Sequence, residues 1–484
     1  MRAVGGVSAS AASSRIADAP RVPVRARARA DDDDEDEDDE DDATDDDARP
    51  DATDALTVRI APSARVNDDF VGPHSLARRV ASRRVASRRP MRALRECVNV
   101  RDLRARARWT VPKFAFDYLD GGADDEKALA RASAAFDELE FHPSTCRGVE
   151  VADTTTSFMG HRDVECIFPA PTAGHALWSP RLGETASATA CARQNRVFSL
   201  STLGTRSPAE VARETPTLRH KMFQVYVWKD RELMRDVLSS AREAGFTSLA
   251  LTTDLTHFGN RERDVRNGFS VPPKHSLRTA LAALAAPGWT AEFLTSKRIE
   301  YALLRDLKRD GLLEGSSSIA DFATRQFDAT FSWEDAEWFR SQWDGPVALK
   351  GILRADDARR ARDAGYDAVW VTSHGARQLE SAVAPVDALP SIRRALDDEA
   401  EIIYDGGVMR GVDVVKAIAR GATAVGVGKA YLYGLAAGGV RGVERAFDFL
   451  TSETKRAMAL IGVKSIEELR ARGDDVVRDR RRRR

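Results

Sequence analysis

Ala368-Val369-Trp370-Val371-Thr372-Ser373-His374-Gly375-Ala376-Arg377-Gln378 reads as an apolar strand running into a polar, glycine-containing turn. The turn presents an imidazole, which can take a proton near neutral pH. Three residues later it presents a guanidinium, which can hold a carboxylate by a forked pair of hydrogen bonds. Together they point to proton abstraction from a bound acid. A strand-end histidine alone is commonly only a hydrogen-bonded polar residue, so the reading depends on what else converges here.

Working outward, the same run-then-turn pattern recurs at Ile167–Ala173, Val197–Thr202, Met222–Val227, Ser248–Asp254, Val347–Ile352, Ile402–Gly406 and Ala424–Gly428. Helix-patterned segments separate most of them: Glu184–Gln194, Pro208–Glu214, Arg231–Ala244, Asp356–Ala364, Val386–Leu396 and Val412–Arg420. Eight strands alternating with helices predict an α/β fold, a parallel (β/α)8 TIM barrel. The 264 residues from Ile167 to Ala430 match the roughly 250 usual for it. A doubly wound open sheet would show a glycine fingerprint after its first strand, and none is present. Upstream, Phe114–Leu119 and Asp124–Leu139 read as N-terminal helices, and Ala430–Leu460 and Ser465–Arg470 as closing ones. The connection after the fourth strand is far too long for one loop and helix. Its apolar piece, Thr279–Trp289, reads as a helix packed outside the barrel, an active-site lid or a membrane-surface patch.

Domain boundaries follow. Residues 1–95 form a targeting region with an acidic linker, and residues 96–475 the catalytic domain. Within that domain lie a 166–430 barrel core and a 262–345 insertion; residues 476–484 are a basic tail. Residues 1–30 hold six arginines, many Ala and Ser, and one acid, Asp18, which suits an organelle transit peptide, or a plain disordered tail. Mitochondrion is favoured over chloroplast, and the arginine-rich C-terminus is not a peroxisomal address. Residues 31–47 carry 15 of the 75 acids and cannot bury a core. Beyond residue 49 the balance is +8, dispersed rather than striped, which does not point to nucleic acid. Cys97, Cys146, Cys166 and Cys191 lack C-x-x-C spacing and read as reduced thiols.

The predicted strand ends are unusually polar: Thr172, Ser201 with Thr202, Gln224 with Tyr226, Thr252 with Asp254, Lys350, His374, and Asp405 before Gly406 and Gly407. In a parallel barrel these ends share one mouth. No second histidine has metal-ligand spacing to His374, and no G-x-S-x-G elbow is present. Glycine turns after the seventh and eighth strands, Asp405-Gly406-Gly407 and Gly426-Val427-Gly428-Lys429, suit a phosphate. A phosphate site, a strand-five lysine and an acid-binding turn together suggest a phosphorylated redox cofactor. Flavin mononucleotide (FMN) fits best.

These motifs, in this order, resemble the FMN-dependent L-2-hydroxy acid dehydrogenase and oxidase family from about Val98 to Leu469. They include Phe116-Asp117-Tyr118 before Gly121-Gly122-Ala123, Ala170-Pro171-Thr172-Ala173, Phe223-Gln224-Val225-Tyr226-Val227, Leu251-Thr252-Thr253-Asp254, Leu349-Lys350-Gly351-Ile352 and Asp405-Gly406-Gly407-Val408. Phe331-Ser332-Trp333 and the ending Met458 to Leu469 look most like bacterial respiratory L-lactate dehydrogenases. The resemblance implies His374 as base with Asp254 as its partner. It implies Arg261 and Arg377 on the substrate carboxylate, and Tyr118 and Tyr226 on carboxylate and hydroxyl. Lys350 would lie at the charged edge of the flavin, with Ser201, Gln224, Thr252 and Thr372 around the ring's polar edge. Ala170, Pro171, Thr172 and Ala173 would lie along the ring, and Asp405, Gly406, Gly407, Arg410, Gly428 and Lys429 at the phosphate end. The chain departs from the pattern at Thr372, where serine is usual, and at Met409 and Lys429, where arginine is usual. Leu203 stands where glycolate oxidases have tryptophan.

The implied reaction is oxidation of a small 2-hydroxy acid, lactate favoured, with electrons passing to a quinone or cytochrome. A peroxide-producing oxidase and a barrel scaffold that has lost FMN are the alternatives. A homotetramer and peripheral membrane contact complete the expectation.

Overall fold

The computed structural model describes residues 93–270, 276–307 and 319–480. The arginine-rich residues 1–30, the acidic tract 31–47 and the end from 481 lie outside the described residues.

Eight strands alternate with helices: β1 (Ile167–Pro169), β2 (Phe198–Ser201), β3 (Lys221–Tyr226), β4 (Ser248–Thr252), β5 (Val347–Ile352), β6 (Ala368–Val371), β7 (Glu401–Asp405) and β8 (Ala424–Val427). They hydrogen-bond in the order β1-β8-β7-β6-β5-β4-β3-β2, every pairing parallel. β1 and β2 lie side by side without a ladder, so the barrel is nearly closed. Each expected run holds a strand.

Strand alternation explains both the core and the site. Val369 and Val371 of β6 point outward into the layer shared with the helices, while Ala368 and Trp370 point inward. Phe168, Met222, Ala250, Ala348, Trp370, Ile403 and Ala424 fill the barrel interior. Two residues further along six of these strands, the next inward position is polar or glycine: Gln224, Thr252, Lys350, Thr372, Asp405 and Gly426; after Phe168 it is Ala170. The apolar layer is thus the floor of the site.

Two regions differ from expectation, Asp124–Leu139 and the stretch from 476. Asp124–Leu139 is not one helix: Asp124 and Glu126 have φ of 44° and 61°, so a helix runs only over Lys127–Ala134, followed by a 3-10 turn at Ala135–Glu138. The closing segment Lys429–Ile461 is more than one helix, as expected, with its break at Gly438 and Gly439. The stretch from 476 begins with structure, since Val477–Asp479 pairs antiparallel with Leu139–Phe141. In the β4–β5 insertion, the apolar piece splits at Pro287 into Leu277–Leu284 and Pro287–Leu294. Trp289 packs inward, its indole N–H donating to the Leu177 carbonyl at 2.9 Å, with an edge contact to Phe114. Leu277, Leu281, Leu284 and Leu294 remain exposed. No described helix is long and apolar enough to cross a membrane.

Candidate active site

The strand ends, the N-terminal helix Lys113–Asp120 and the insertion enclose a cavity of about 570 Å³, within the range of small-molecule sites. Its wall contains Tyr118, Ala170, Pro171, Thr172, Ala173, Tyr226, Arg261, Lys350, His374, Arg377, Asp405, Gly406, Gly407, Gly428 and Lys429.

The imidazole stands on a strained turn. His374, Gly375 and Ala376 have φ of 55°, 62° and 57°, so two non-glycine residues occupy left-handed backbone. Packing enforces this: the Thr372 hydroxyl accepts from the His374 N–H at 3.0 Å, and the Ala376 carbonyl accepts from the Ala123 N–H at 2.9 Å. His374 Nδ1 lies 2.7 Å from Asp254 Oδ1, leaving Nε2 as the ring nitrogen turned from the carboxylate. Burial drives the Asp254 carboxyl upward, but His374 and Lys350 outweigh it and hold it below the usual carboxylate range. Asp254 is therefore an anion fixed against the ring.

The two guanidiniums meet through a close approach of loops. A Cβ on Gly259 would lie 2.3 Å from the Arg377 carbonyl oxygen and 2.6 Å from Gln378 Cα, so only glycine fits. Arg261 Nη2 donates to Gln378 Oε1 at 3.3 Å, and Arg377 Nη1 to the Tyr118 carbonyl at 2.6 Å. Both lie over the Tyr118 ring, at 5.9 and 4.6 Å from its centre. Asp120 anchors the helix carrying Tyr118: Arg104 grips it at 2.6 and 2.8 Å, and the Tyr433 hydroxyl donates at 2.7 Å.

Lys350 is aimed inward by a bulge. The β5–β6 register shifts between Lys350 and Ile352, and Gly351 has φ of 121°, with Asp254 Cβ only 2.9 Å from the position of a Cβ. Lys350 Nζ lies 3.7 Å from Asp405 Oδ2, and Asp405 also accepts from the Thr372 hydroxyl. Behind the wall, Ser201 donates to Gln224 Oε1 and Gln224 Nε2 to Thr252 Oγ1, each at 2.8 Å, linking the ends of β2, β3 and β4. These three, with Asp254 and Thr372, support the wall rather than line it.

The phosphate end departs from expectation. Arg410 is outside the cavity wall; its guanidinium pairs with Glu453 at 3.0 and 2.9 Å. The next residue starts the helix Gly411–Ala419, whose first N–H also donates to Glu453, so Arg410 is committed to the outer layer. Lys429 does line the cavity, but its ammonium donates to the Leu119 and Gly121 carbonyls at 2.7 Å each. Burial, then Arg377, push it well below the usual lysine range.

An FMN-sized ligand nevertheless fits. A Cβ at Gly428 would meet no atom within 4 Å, so this glycine keeps open space rather than satisfying protein packing. The turn begins the long helix Lys429–Ile461, whose first N–H groups favour an anion. Lys350 supplies a buried cation beside the polar relay of β2 to β4. Residues that strand periodicity did not flag also line the cavity: Trp178, Leu255, and from the insertion Phe258, Asp264, Phe269 and Tyr301. Phe269 stacks on Tyr118 with ring centres 4.3 Å apart. The insertion's excess length was the only sign of the last four.

The family model of FMN-dependent dehydrogenases matches residues 107–475. The L-lactate dehydrogenase of Caulobacter sp. (strain K31) is 35% identical, over 76% of this chain and 96% of that protein. The L-lactate oxidase of Nostoc sp. is 36% identical, over 78% of this chain and 98% of that protein. Among solved structures, that of the monotopic membrane protein (S)-mandelate dehydrogenase aligns with a TM-score of 0.73 and 32% identity, covering 79% of this chain and all of that one. This chain belongs to the FMN-dependent dehydrogenase family, and its cofactor is FMN.

Proposed function

We propose that the protein oxidises a short L-2-hydroxy acid, with lactate favoured, to the 2-keto acid and passes the electrons to a quinone or cytochrome. The observation that carries this reading is His374 in one cavity wall with Arg261, Arg377 and two tyrosines, held from behind by Asp254 at 2.7 Å. The guanidiniums of Arg261 and Arg377 bind the substrate carboxylate. The hydroxyls of Tyr118 and Tyr226 orient carboxylate and substrate hydroxyl. His374 takes a proton through Nε2, and Asp254 stabilises the resulting cation. Lys350 offers positive charge where negative charge develops. Ala170 to Ala173, Gly406, Gly407, Gly428 and Lys429 would hold FMN, which when bound supplies the two-electron acceptor.

Anaerobic addition of L-lactate to the purified, FMN-loaded protein tests the reading: the visible flavin band bleaches. Failure to bleach with any short L-2-hydroxy acid overturns it. Peroxide formed per turnover in air separates the dehydrogenase from an oxidase, and a high yield would favour the oxidase.

The exposed leucines favour an extension of the same reading to a lipid-facing enzyme. Leu277, Leu281 and Leu284 follow i, i+4, i+7 spacing on one helix and are 78%, 58% and 73% exposed. Replacing all three by Ser abolishes flotation with anionic vesicles and leaves anaerobic bleaching intact; unchanged flotation refutes the contact. A homotetramer and import into mitochondria through residues 1–30 belong to the same proposal. Light scattering checks the first, and a reporter fused to those residues checks the second.

A further inference from the structure

Behind the cavity wall lies a buried polar network with a single exit. His175 Nε2 is 2.9 Å from the Thr172 hydroxyl and 3.0 Å from the Tyr431 hydroxyl. Tyr431 also hydrogen-bonds Thr172 directly, and its hydroxyl lies farther, at 3.3 Å, from a second acceptor, the Ala170 carbonyl. His175 Nδ1 is 3.3 Å from the Ser187 hydroxyl, and the His175 main-chain N–H donates to Glu184 at 3.0 Å. Glu184 accepts twice more from Thr205, at 2.8 and 2.6 Å. His175, Glu184, Ser187, Thr205 and Tyr431 are at most 4% exposed, and none lines the cavity. Thr172 alone does.

Its position places it on the cofactor side. β1 pairs with β8, and the Ala170 N–H donates to the Val427 carbonyl at 2.9 Å, so the Ala170–Ala173 loop runs beside the Gly428 turn. Arg261 and His374 come from the loops after β4 and β6.

A buried polar network this complete needs a reason, because each unmet group in it would cost about 1–3 kcal/mol. A hydroxyl has one proton to donate and two acceptor positions. Burial pushes the imidazole below the usual histidine range, so it is neutral and carries one ring proton. When that proton is on Nε2 and Tyr431 also donates, both acceptor positions of Thr172 are filled from behind. Its own proton is then left to face the cavity.

We propose that His175 and Tyr431 are positioning residues that fix the Thr172 hydroxyl as a hydrogen-bond donor to the bound flavin, stabilising its reduced form. The inference rests on FMN occupying this cavity and not on which hydroxy acid is oxidised. The test is therefore the midpoint potential and visible spectrum of the holoenzyme, measured by equilibration with a reference dye without substrate.

Thr172→Val is expected to shift the reduction equilibrium about tenfold toward oxidised flavin, which is about 30 mV for a two-electron couple. Tyr431→Phe shifts it in the same direction by less, and Thr172→Ser restores the native value. A Thr172→Val holoenzyme with native potential and spectrum overturns the proposal. So does a Tyr431→Phe protein that melts earlier at an unchanged potential. If Thr172→Val no longer retains flavin, Tyr431→Phe, which lies behind the wall, decides.

Discussion

Met409→Arg is expected to tighten FMN binding while leaving riboflavin binding unchanged. Of the residues from Gly406 to Met409 and Gly426 to Lys429 at the glycine turns, Lys429 is the one basic residue, and its Nζ is held by two main-chain carbonyls. Arg410 is already paired with Glu453. Met409 lines the cavity, and its N–H, bonded to Asp413 at 2.9 Å, survives substitution. A charge-assisted hydrogen bond contributes roughly 1.5–3 kcal/mol, and ordering an arginine side chain costs about 0.5–1.5 kcal/mol. One new contact to the phosphate thus nets about 1.4 kcal/mol, or tenfold in Kd, and a forked pair approaches 100-fold. The assay is quenching of flavin fluorescence as FMN, and separately riboflavin, is titrated into apoprotein. Equal changes for the two ligands, or none for FMN, would refute the argument that the phosphate end lacks a free guanidinium.

Three further outcomes follow from the geometry. Gly259→Ala drives a methyl into the Arg377–Gln378 backbone and spreads the two guanidiniums; KM should rise about 10- to 100-fold with flavin retained, and steady-state kinetics at saturating acceptor measures it. Asp254→Asn removes the carboxylate that stabilises charge developing on His374 as it takes the proton; kcat should fall about 10²- to 10⁴-fold without loss of FMN, and a native kcat would exclude that role for Asp254. Burial depresses the Lys429 ammonium in the free protein, and a phosphate dianion beside it would raise it. FMN binding should then take up a proton, and affinity should fall as pH rises above about 7, where the phosphate is already dianionic. Calorimetry in two buffers of different ionisation enthalpy measures the uptake, and zero uptake means that Lys429 stays on its carbonyls.

Much of the fold was legible because a parallel barrel writes itself locally. Each strand is a short apolar run, each helix is amphipathic, and β6 through Val371 reads as a strand before any neighbour is known. The site was legible in part for the same reason. Inward alternation lifts Gln224, Thr252, Lys350 and Asp405 one layer above an apolar floor, and a period of two is a property of the chain alone. The Asp124–Leu139 helix failed because its apolar spacing says nothing of the left-handed backbone at Asp124 and Glu126. That backbone is stabilised by contacts with the Asn260 and Ala376 carbonyls, far away in sequence.

By itself the amino-acid sequence determined the strand and helix order, the barrel and the identity of the residues at its mouth, since these depend on spacing and side-chain chemistry along the chain. Only the tertiary structure decided which way each long side chain is committed. Arg410 reads as a phosphate ligand until Glu453, 43 residues later, is found against it. Lys429 reads the same way until the carbonyls ending Lys113–Asp120 are seen to hold it. Tyr301 and Phe269 enter the wall from an insertion with no strand period to place them. The reason is physical: a flexible charged side chain goes to the partner that best offsets its burial, and that partner is set by folding, not by sequence distance.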